Sequence, residues 1–185
     1  ENDDWKRIVV LSFPETLVTP NTFKTGKAHT VMLTSSDEAA LTATLDQVQQ
    51  DHGPIASFIH LHPQLPFNIS AEDRFLDSEK QILKLIFLTA RQLAGSLQRA
   101  ATDKRALFMT VTRINGKLGY EPESNTSPIA GGLYGLLKTA KIEWEPVFCR
   151  ALDLSPEIGD VEAAETILAE MSDSDARISE TGYTS

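Results

Sequence analysis

The sequence has a single cysteine and fewer basic than acidic residues, and both shortages exclude classes of function. Cys149 has no second cysteine to pair with in the 185-residue chain, so an internal disulfide is impossible. Its apolar surroundings predict a buried thiol in a reducing, cytoplasmic environment. Lysine and arginine number 17 against 26 aspartates and glutamates, which gives a formal net charge of −9. Because phosphate groups bind to basic surfaces, we expect neither nucleic acid nor an anionic membrane as a partner.

Long apolar runs are also absent. No stretch reaches the roughly 18 residues that a membrane helix requires, and the first residues do not have the pattern of a signal peptide. Hydrophobic residues make up 41% and charged residues 23%, which is typical of a globular chain. The chain starts at Glu1 and stops in "ISETGYTS", a pattern typical of a strand that enters a turn. We therefore predict one domain over residues 1–185, excised from a longer polypeptide.

Strand and helix patterns alternate along the chain. Short β-branched or apolar runs predict strands at residues 7–13, 28–34, 55–61, 105–113, 147–154 and 176–183. Amphipathic runs predict helices at residues 36–53 with Ser36 or Asp37 as the cap, 76–104, 127–144, and 159–171 with Asp160 as the cap. This order predicts an α/β fold with a mainly parallel sheet that helices flank.

One predicted helix carries the residues of a proton-transfer pair. The stretch "GGLYGLLKTAKIEWEP" (131–146) places Tyr134 and Lys138 one helical turn apart, on the same face. This spacing resembles that of short-chain dehydrogenases. In that family a tyrosine donates a proton to the substrate carbonyl, and a lysine one turn later lowers the tyrosine pKa and binds the nicotinamide ribose.

The cofactor-binding parts of such a site are missing from the sequence. A dinucleotide needs a glycine-rich turn after the first strand, where its pyrophosphate approaches the backbone. The corresponding stretch "SFPETLVTPNT" contains no glycine, and the next loop has only Gly26. The asparagine-rich segment expected after the strand at 55–61 is replaced by "HLHP". We therefore expect no bound cofactor in this chain.

The catalytic serine is also missing from its usual place. The residue thirteen positions before Tyr134, where these enzymes usually have serine, is Glu121. Ser124 and Ser127 lie nearby, in a loop whose register the sequence does not define. We predict that no catalytic site is intact and that Tyr134 and Lys138 are vestigial.

A longer stretch resembles a known family. "SPIAGGLYGLLKTAKIEWEPVFCRALDL" (127–154) is similar to the structural subdomain of ketoreductases in modular polyketide synthases, and closer still to the ketoreductase region of polyunsaturated fatty acid synthases. In that subdomain a helix with a "GL-K/R" pattern is followed by "E-W/H-P" and by a strand that ends in "DL". The upstream "FIHLHP" and "KQILKLIFLTARQLAGSL" fit the same plan, as does the terminal "ISETGY". One departure is Glu145, which separates Trp144 from Pro146.

The resemblance implies a ketoreductase with two halves that are each similar to a short-chain dehydrogenase. The second half binds NADPH, holds the catalytic residues and reduces β-ketoacyl thioesters. The first half, which this chain matches, is implied to be a truncated Rossmann-like copy with three layers that stabilises the second. The implied partners are the catalytic half of the same polypeptide and, indirectly, an acyl carrier protein; a homodimer with a second copy is a further candidate.

Two alternatives stay open. The chain could be a self-sufficient short-chain reductase that uses Tyr134 and Lys138. It could also be a docking module for an acyl carrier protein; because that carrier is acidic in such systems, the net charge of −9 disfavours its approach.

A histidine pair is the other candidate site. His60 and His62 are two residues apart, so on a strand they share one face, as metal ligands can. No cysteine and no third histidine lies close in sequence. We expect a hydrogen-bonded pair at the end of a strand, and no metal.

Several further side chains carry expectations about packing. Phe58 and Phe87 are predicted to lie in the core, and Trp144 is predicted to anchor a helix end by packing or, alternatively, to face a partner. The acidic stretch "SDSDA" (172–176) is expected to be a solvated loop. The apolar stripe of helix 80–100 predicts ordinary burial, with contacts outside this chain as the alternative.

Overall fold

The computed structural model describes residues 7–19, 28–65, 76–120 and 128–185. The chain divides into two compact units, Glu1–Pro54 and Ile55–Ser185. The assignment of the whole chain to one domain stays a prediction.

The described residues of the first unit form two strands and a helix. Strands β1 (Val9–Ser12) and β2 (His29–Met32) pair in parallel. Helix α1 (Glu38–His52) begins where the Asp37 carboxylate accepts a hydrogen bond from the Ala40 amide at 2.7 Å. It ends at Gly53, which adopts a φ of 88° that a side chain would disfavour. Asp37, rather than Ser36, is therefore the cap, and both predicted helix ends are confirmed.

The second unit is built on four parallel strands that neighbour one another in chain order. They are β3 (Ser57–Leu61), β4 (Leu107–Thr112), β5 (Phe148–Leu154) and β6 (Glu180–Tyr183). Three helices connect them, namely α2 (Asp77–Asp103), α3 (Gly132–Glu143) and α4 (Asp160–Ser172). The described strands thus form two wholly parallel sheets, and the predicted α/β class is confirmed.

Alternating side chains of β4 and β5 face two different helix layers. On one face, buried apolar residues of both strands pack with Ile158, Ala163 and Met171 at and within α4. On the other face, Phe108 contacts Trp144 at the end of α3, with ring centroids 5.4 Å apart. Because both strands are fully buried, the sheet is the middle of three layers in this unit.

Two predicted element boundaries differ from the structure. Residues 128–131 form tight turns before α3, since the amides of Gly131 and Gly132 bond to carbonyls three residues earlier, and residue 127 lies outside the described residues. Gly159, not Asp160, is the N-cap of α4, and it makes no side-chain hydrogen bond to the helix. The Asp160 carboxylate instead lies 3.3 Å from Arg113.

Side-chain burial confirms most of the packing predictions and overturns one. Cys149 is buried, and burial raises the pKa of its thiol to about 12. Trp144 is buried, and Phe58 is partly buried and stacks on Phe108. The prediction for Phe87 is wrong: its side chain is 51% exposed, because it lies on the outward side of α2 while the inward stripe of that helix supplies the core. Within the described residues, no helix is long and apolar enough to cross a membrane.

Candidate functional site

The candidate site lies where β4 and β5 end. Thr112 is the last residue of β4, Asp153 is the next-to-last residue of β5, and both side chains are completely buried. Helix α3 brings the Tyr134 hydroxyl to 2.7 Å from the Thr112 hydroxyl. In α/β sheets, ligands bind at this carboxyl edge. The structure therefore places the predicted tyrosine where a catalytic residue of this fold class belongs.

The Tyr134 phenol is held in its protonated form. Burial raises its pKa well above the ordinary value, and the carboxylates of Asp153 and Glu180 act in the same direction. The hydrogen bond with Thr112 acts in the opposite direction but does not offset burial. A reductase needs a tyrosine whose pKa is lowered, so that its phenol can lose and regain a proton near neutral pH. The environment of Tyr134 has the opposite effect.

Lys138 contacts a carboxylate. Its ammonium group lies 2.7 Å from Glu180 of β6, and this hydrogen bond raises the pKa of Lys138. Its side chain is half exposed, whereas Tyr134 is buried. Tyr134 and Lys138 share a helix face as predicted, but Lys138 forms its ion pair with Glu180. The negative charge of Glu180 also disfavours ionisation of the Tyr134 phenol.

Asp153 organises the loop that follows β4. Its Oδ1 accepts hydrogen bonds from the Ile114 amide at 2.8 Å and the Thr112 hydroxyl at 3.1 Å. Its Oδ2 accepts from the amides of Leu118 at 2.9 Å and Asn115 at 3.3 Å. The Thr112 hydroxyl thus contacts both this carboxylate and the Tyr134 hydroxyl, and either hydroxyl of the Thr112–Tyr134 pair can be the donor. The sequence signal for this role is an aspartate inside the strand "FCRALDL", whose other residues are apolar except for Arg150.

The same loop is packed tightly against β6. Gly116 has a φ of 72°, and a Cβ there would come within 2.0 Å of the Tyr183 carbonyl oxygen. A Cβ on Gly182 would in turn come within 2.3 Å of the Gly116 carbonyl oxygen. Leu118 takes a φ of 59°, which is uncommon for a residue other than glycine. Loop 113–119 is therefore fixed by two close backbone approaches and by Asp153.

The turn after β1 is closed by its own backbone hydrogen bonds. The amides of Leu17 and Val18 donate to the Pro14 carbonyl, at 2.9 and 3.2 Å, which leaves them engaged within the turn. Described residues 13–19 contain no glycine and no helix that could receive a pyrophosphate at its N-terminus. Gly26, in the loop before β2, lies outside the described residues.

The predicted serine position cannot be placed. Glu121, Ser124 and Ser127 all lie outside the described residues. Thr112 is the hydroxyl that contacts Tyr134, and the spacing rule missed it because it lies on the strand and not thirteen residues before the tyrosine.

His60 and His62 form the expected pair. His60 Nε2 lies 3.2 Å from His62 Nδ1 at the end of β3. Burial lowers the pKa of His60 to about 3, with a contribution from His62, and it lowers the pKa of His62 to about 4. Among the described residues, no three histidine, cysteine, aspartate or glutamate side chains are arranged to hold a metal ion.

Comparison with known proteins found similarity in sequence to one curated protein and in fold to solved structures. No protein-family model matches it. Over 116 residues, 60% of this chain, it is 30% identical to one of the subunits of the polyunsaturated fatty acid synthase from Thraustochytrium sp., and the match spans 4% of that relative. A protein from Bacillus thuringiensis named 3-oxoacyl-reductase has a TM-score of 0.68, with 14% identity, over 96% of this chain and 86% of its own. A metagenomic short-chain oxidoreductase in complex with NADP has a TM-score of 0.62, with 18% identity, over 86% of this chain and 75% of its own.

The chain has the short-chain oxidoreductase fold. The predicted resemblance to a polyunsaturated fatty acid synthase is confirmed by the similarity to the Thraustochytrium subunit, and the predicted fold is confirmed by the solved structures.

Within the short-chain oxidoreductase fold, the opposite face of β5 carries a second polar centre that the sequence did not indicate. Arg150 is completely buried and forms ion pairs with Glu170 of α4 and, at 2.9 Å, with Asp173. It also donates to the Asp175 carbonyl at 2.8 Å. Tyr183 donates to the other Glu170 oxygen at 2.6 Å, and this bond, with burial, raises the pKa of Tyr183 to about 12.

This centre corrects the expectation for "SDSDA". Asp173 and Asp175 belong to that stretch, and both contact Arg150 through a carboxylate or a carbonyl. The stretch is therefore not only a solvated loop, because it supplies two of the groups that accept hydrogen bonds from the buried Arg150. A buried arginine requires such partners, and those of Arg150 follow it by 20 to 25 residues in sequence.

Proposed function

We propose that this chain is the structural half of a ketoreductase in a multifunctional polyunsaturated fatty acid or polyketide synthase. In this proposal it stabilises an adjacent half that binds NADPH and reduces β-ketoacyl thioesters on a carrier protein to β-hydroxyacyl thioesters. The parent protein would be an NADPH-dependent reductase, while this chain would bind no cofactor and catalyse no step. Its direct partner would be the catalytic half of the same polypeptide. The acyl carrier protein would be only an indirect partner of this chain.

One observation carries the proposal. The two side chains that a reductase would use are both engaged in structural contacts, Tyr134 with Thr112 and Lys138 with Glu180. Burial keeps the pKa of the phenol high, so proton donation to a substrate would be slow. The hydrogen-bonded turn after β1 adds support, because its amides are not available to a pyrophosphate.

The direct test is a calorimetric titration of the chain with NADPH. We expect no binding at millimolar cofactor for this chain alone, and NADPH binding by the two halves expressed together. The two-half protein should also unfold at a higher temperature than its catalytic half alone. NADPH binding by the isolated chain, or equal thermal stability of the catalytic half with and without it, would contradict the proposal.

The alternative is a self-sufficient reductase, and the hydroxyl pair of Thr112 and Tyr134 favours it. A hydroxyl beside the catalytic phenol is the arrangement that such enzymes use to orient a carbonyl. This alternative predicts NADPH-dependent turnover of a β-ketoacyl thioester by the isolated chain, with a loss of at least about a hundredfold in Tyr134→Phe. Absence of turnover by the unsubstituted chain would eliminate it.

A further inference from the structure

The outward side of α2 has a charge opposite to that of the whole protein. Exposed residues recur there every three or four positions, at Lys80, Lys84, Phe87, Arg91, Gly95 and Arg99. We call these six residues the α2 stripe. From Lys80 to Thr102 the helix contains four cations and not one acidic residue, in a chain with a net charge of −9. At 1.5 Å per residue, the stripe is about 28 Å long.

The cations of the α2 stripe are only partly neutralised by the rest of the molecule. Lys80 lies 2.8 Å from Asp77, one turn earlier. Lys84 and Arg99 form no ion pair within the described residues, and the Arg99 guanidinium lies over Gly95. The N-terminal end of α3 packs against Leu83, and its first turn contains no acidic residue. Lys84 and Arg99 are therefore cations of the stripe that have no ion-pair partner within the described part of the chain.

Phe87 gives this surface an apolar centre. Its side chain is 51% exposed and lies between Lys84 and Arg91 along the stripe. Helix-binding surfaces commonly combine one central apolar anchor with flanking charges that set the orientation of the partner. A linear array of this length, with cations on both sides of an aromatic ring, matches one helix of about twenty residues.

We propose that the α2 stripe is a docking surface for an acidic helix of a partner protein. Its cations would pair with carboxylates spaced three or four residues apart, and Phe87 would contact an apolar side chain near the middle of the partner helix. The surface is independent of any catalytic role, because neither Tyr134 nor Lys138 belongs to it. The net charge that disfavours an acidic partner at long range does not describe this face of the molecule.

Other occupants fit the stripe less well. A symmetric contact between two copies would bring Lys80 and Lys84 against Arg99 and Arg91, so like charges would face each other. A membrane surface would require several exposed apolar side chains, whereas the stripe has one. Nucleic acid extends beyond the stripe and would meet the negative charge of the remaining surface.

The experiment uses the whole chain and a synthetic helical peptide of about twenty residues. The peptide carries glutamates at alternating spacings of three and four residues and one central leucine. A matched peptide has glutamine in place of each glutamate. We expect saturable binding of the glutamate peptide, with NMR shift changes confined to α2 and the adjoining turns. Binding should be at least about tenfold weaker for the glutamine peptide, and weaker for either peptide in about 0.5 M salt.

Charge reversal locates the contact. Lys84→Glu and Arg99→Glu should each weaken binding at least about tenfold, whereas Lys117→Glu, with the same change in net charge, should change it less than about twofold. Phe87→Ala should weaken binding about threefold to tenfold. Circular dichroism of each variant checks the helix content, and the two peptides test the proposal on the unsubstituted protein as well.

Four outcomes would overturn the proposal. The first is equal affinity for the two peptides, and the second is shift changes on other elements. The third is tighter binding to vesicles with phosphatidylserine or to duplex DNA than to the glutamate peptide. The fourth is concentration-dependent self-association that Lys84→Glu abolishes, which would assign the stripe to a second copy of the chain.

Discussion

Strand β5 carries two completely buried charged residues three positions apart, and they are accommodated in different ways. Arg150 faces α4, where Glu170 and Asp173 supply opposite charges. Asp153 faces α3, where three backbone amides and the Thr112 hydroxyl donate to its carboxylate. One side of the sheet thus uses ion pairs, and the other uses neutral donors.

The two faces also differ in what their hydrogen bonds hold in place. On the Asp153 face, the hydrogen-bonding capacity at the carboxyl edge of the sheet is used to fix loop 113–119 and to hold the Tyr134 phenol protonated. A reductase would need those groups to face a substrate. The polar residues at this edge serve the folded structure, as those around Arg150 do on the other face.

The largest expected effect on stability is at Arg150, on the face of β5 that uses ion pairs. Arg150→Met leaves Glu170 buried without its cation, so we expect a loss of about 3–5 kcal/mol in the free energy of unfolding, measured with urea. Arg177→Met is the matched control: Arg177 is 91% exposed, and its replacement should cost less than about 0.5 kcal/mol. Adding Glu170→Leu to Arg150→Met should restore part of the loss. A cost below about 1 kcal/mol for Arg150→Met would show that the pair is not required.

The second prediction concerns the histidines, which lie on the same side of the sheet as Phe108 and Thr110. The folded pKa values of His60 and His62, about 3 and about 4, lie below the ordinary value of 6.5. Between these values and 6.5 the unfolded state binds more protons, so stability is complete above pH 6.5 and falls as the pH decreases. Each histidine contributes a slope of about 1.4 kcal/mol per pH unit, or about 2.7 for both.

Urea unfolding between about pH 7 and pH 5 measures this slope. The double variant His60→Gln, His62→Gln should lose most of it, whereas the matched double variant His29→Gln, His52→Gln should keep it. Equal slopes for the two double variants would refute the assignment to the buried pair.

A smaller effect is expected from Asp153→Asn on the amide-bonded face. An amide has one oxygen instead of two, so its NH₂ group would face either the Ile114 or the Leu118 amide. We expect a loss of about 1–3 kcal/mol and faster hydrogen exchange at both amides, followed by NMR. The control is Asp160→Asn, whose carboxylate is 99% exposed. Unchanged exchange at Ile114 and Leu118 would show that Asp153 does not fix the loop.

The smallest effect is expected from Tyr134→Phe. This change removes one hydrogen bond to Thr112 and should cost about 0.5–1.5 kcal/mol, while Tyr120→Phe, at a position 79% exposed, should cost almost nothing. In the intact parent synthase, ketoreduction should continue at the rate of the unsubstituted protein. A loss of ketoreduction at unchanged stability would instead assign chemistry to this phenol.

Local patterns predicted most of the secondary structure. The ends of α1 follow from Asp37 and Gly53, which act on the nearest turn of backbone. The cap of α4 was predicted wrongly because it was chosen by residue type alone: Gly159 has the extended backbone of a cap, and Asp160 is already the first residue of the helix. Phe87 was misplaced because a wide apolar pattern does not show which of its residues lies at the edge of the buried stripe.

The site was predictable only in part. The spacing of Tyr134 and Lys138 follows from helical geometry, but their contacts do not. Thr112 and Asp153 are 41 residues apart in sequence, and they meet because β4 and β5 are neighbours in register. The partners of Arg150 likewise come from α4 and the loop that follows it.

By itself, then, the sequence determined the order of strands and helices, the parallel α/β class and the buried thiol of Cys149, because periodicity and capping act within a few residues. Only the tertiary structure decided that Lys138 pairs with Glu180, that Asp153 fixes loop 113–119 and that α2 presents its cations outward. The physical reason is that a charge needs a partner within a few ångströms, and strand pairing decides which distant residues come that close.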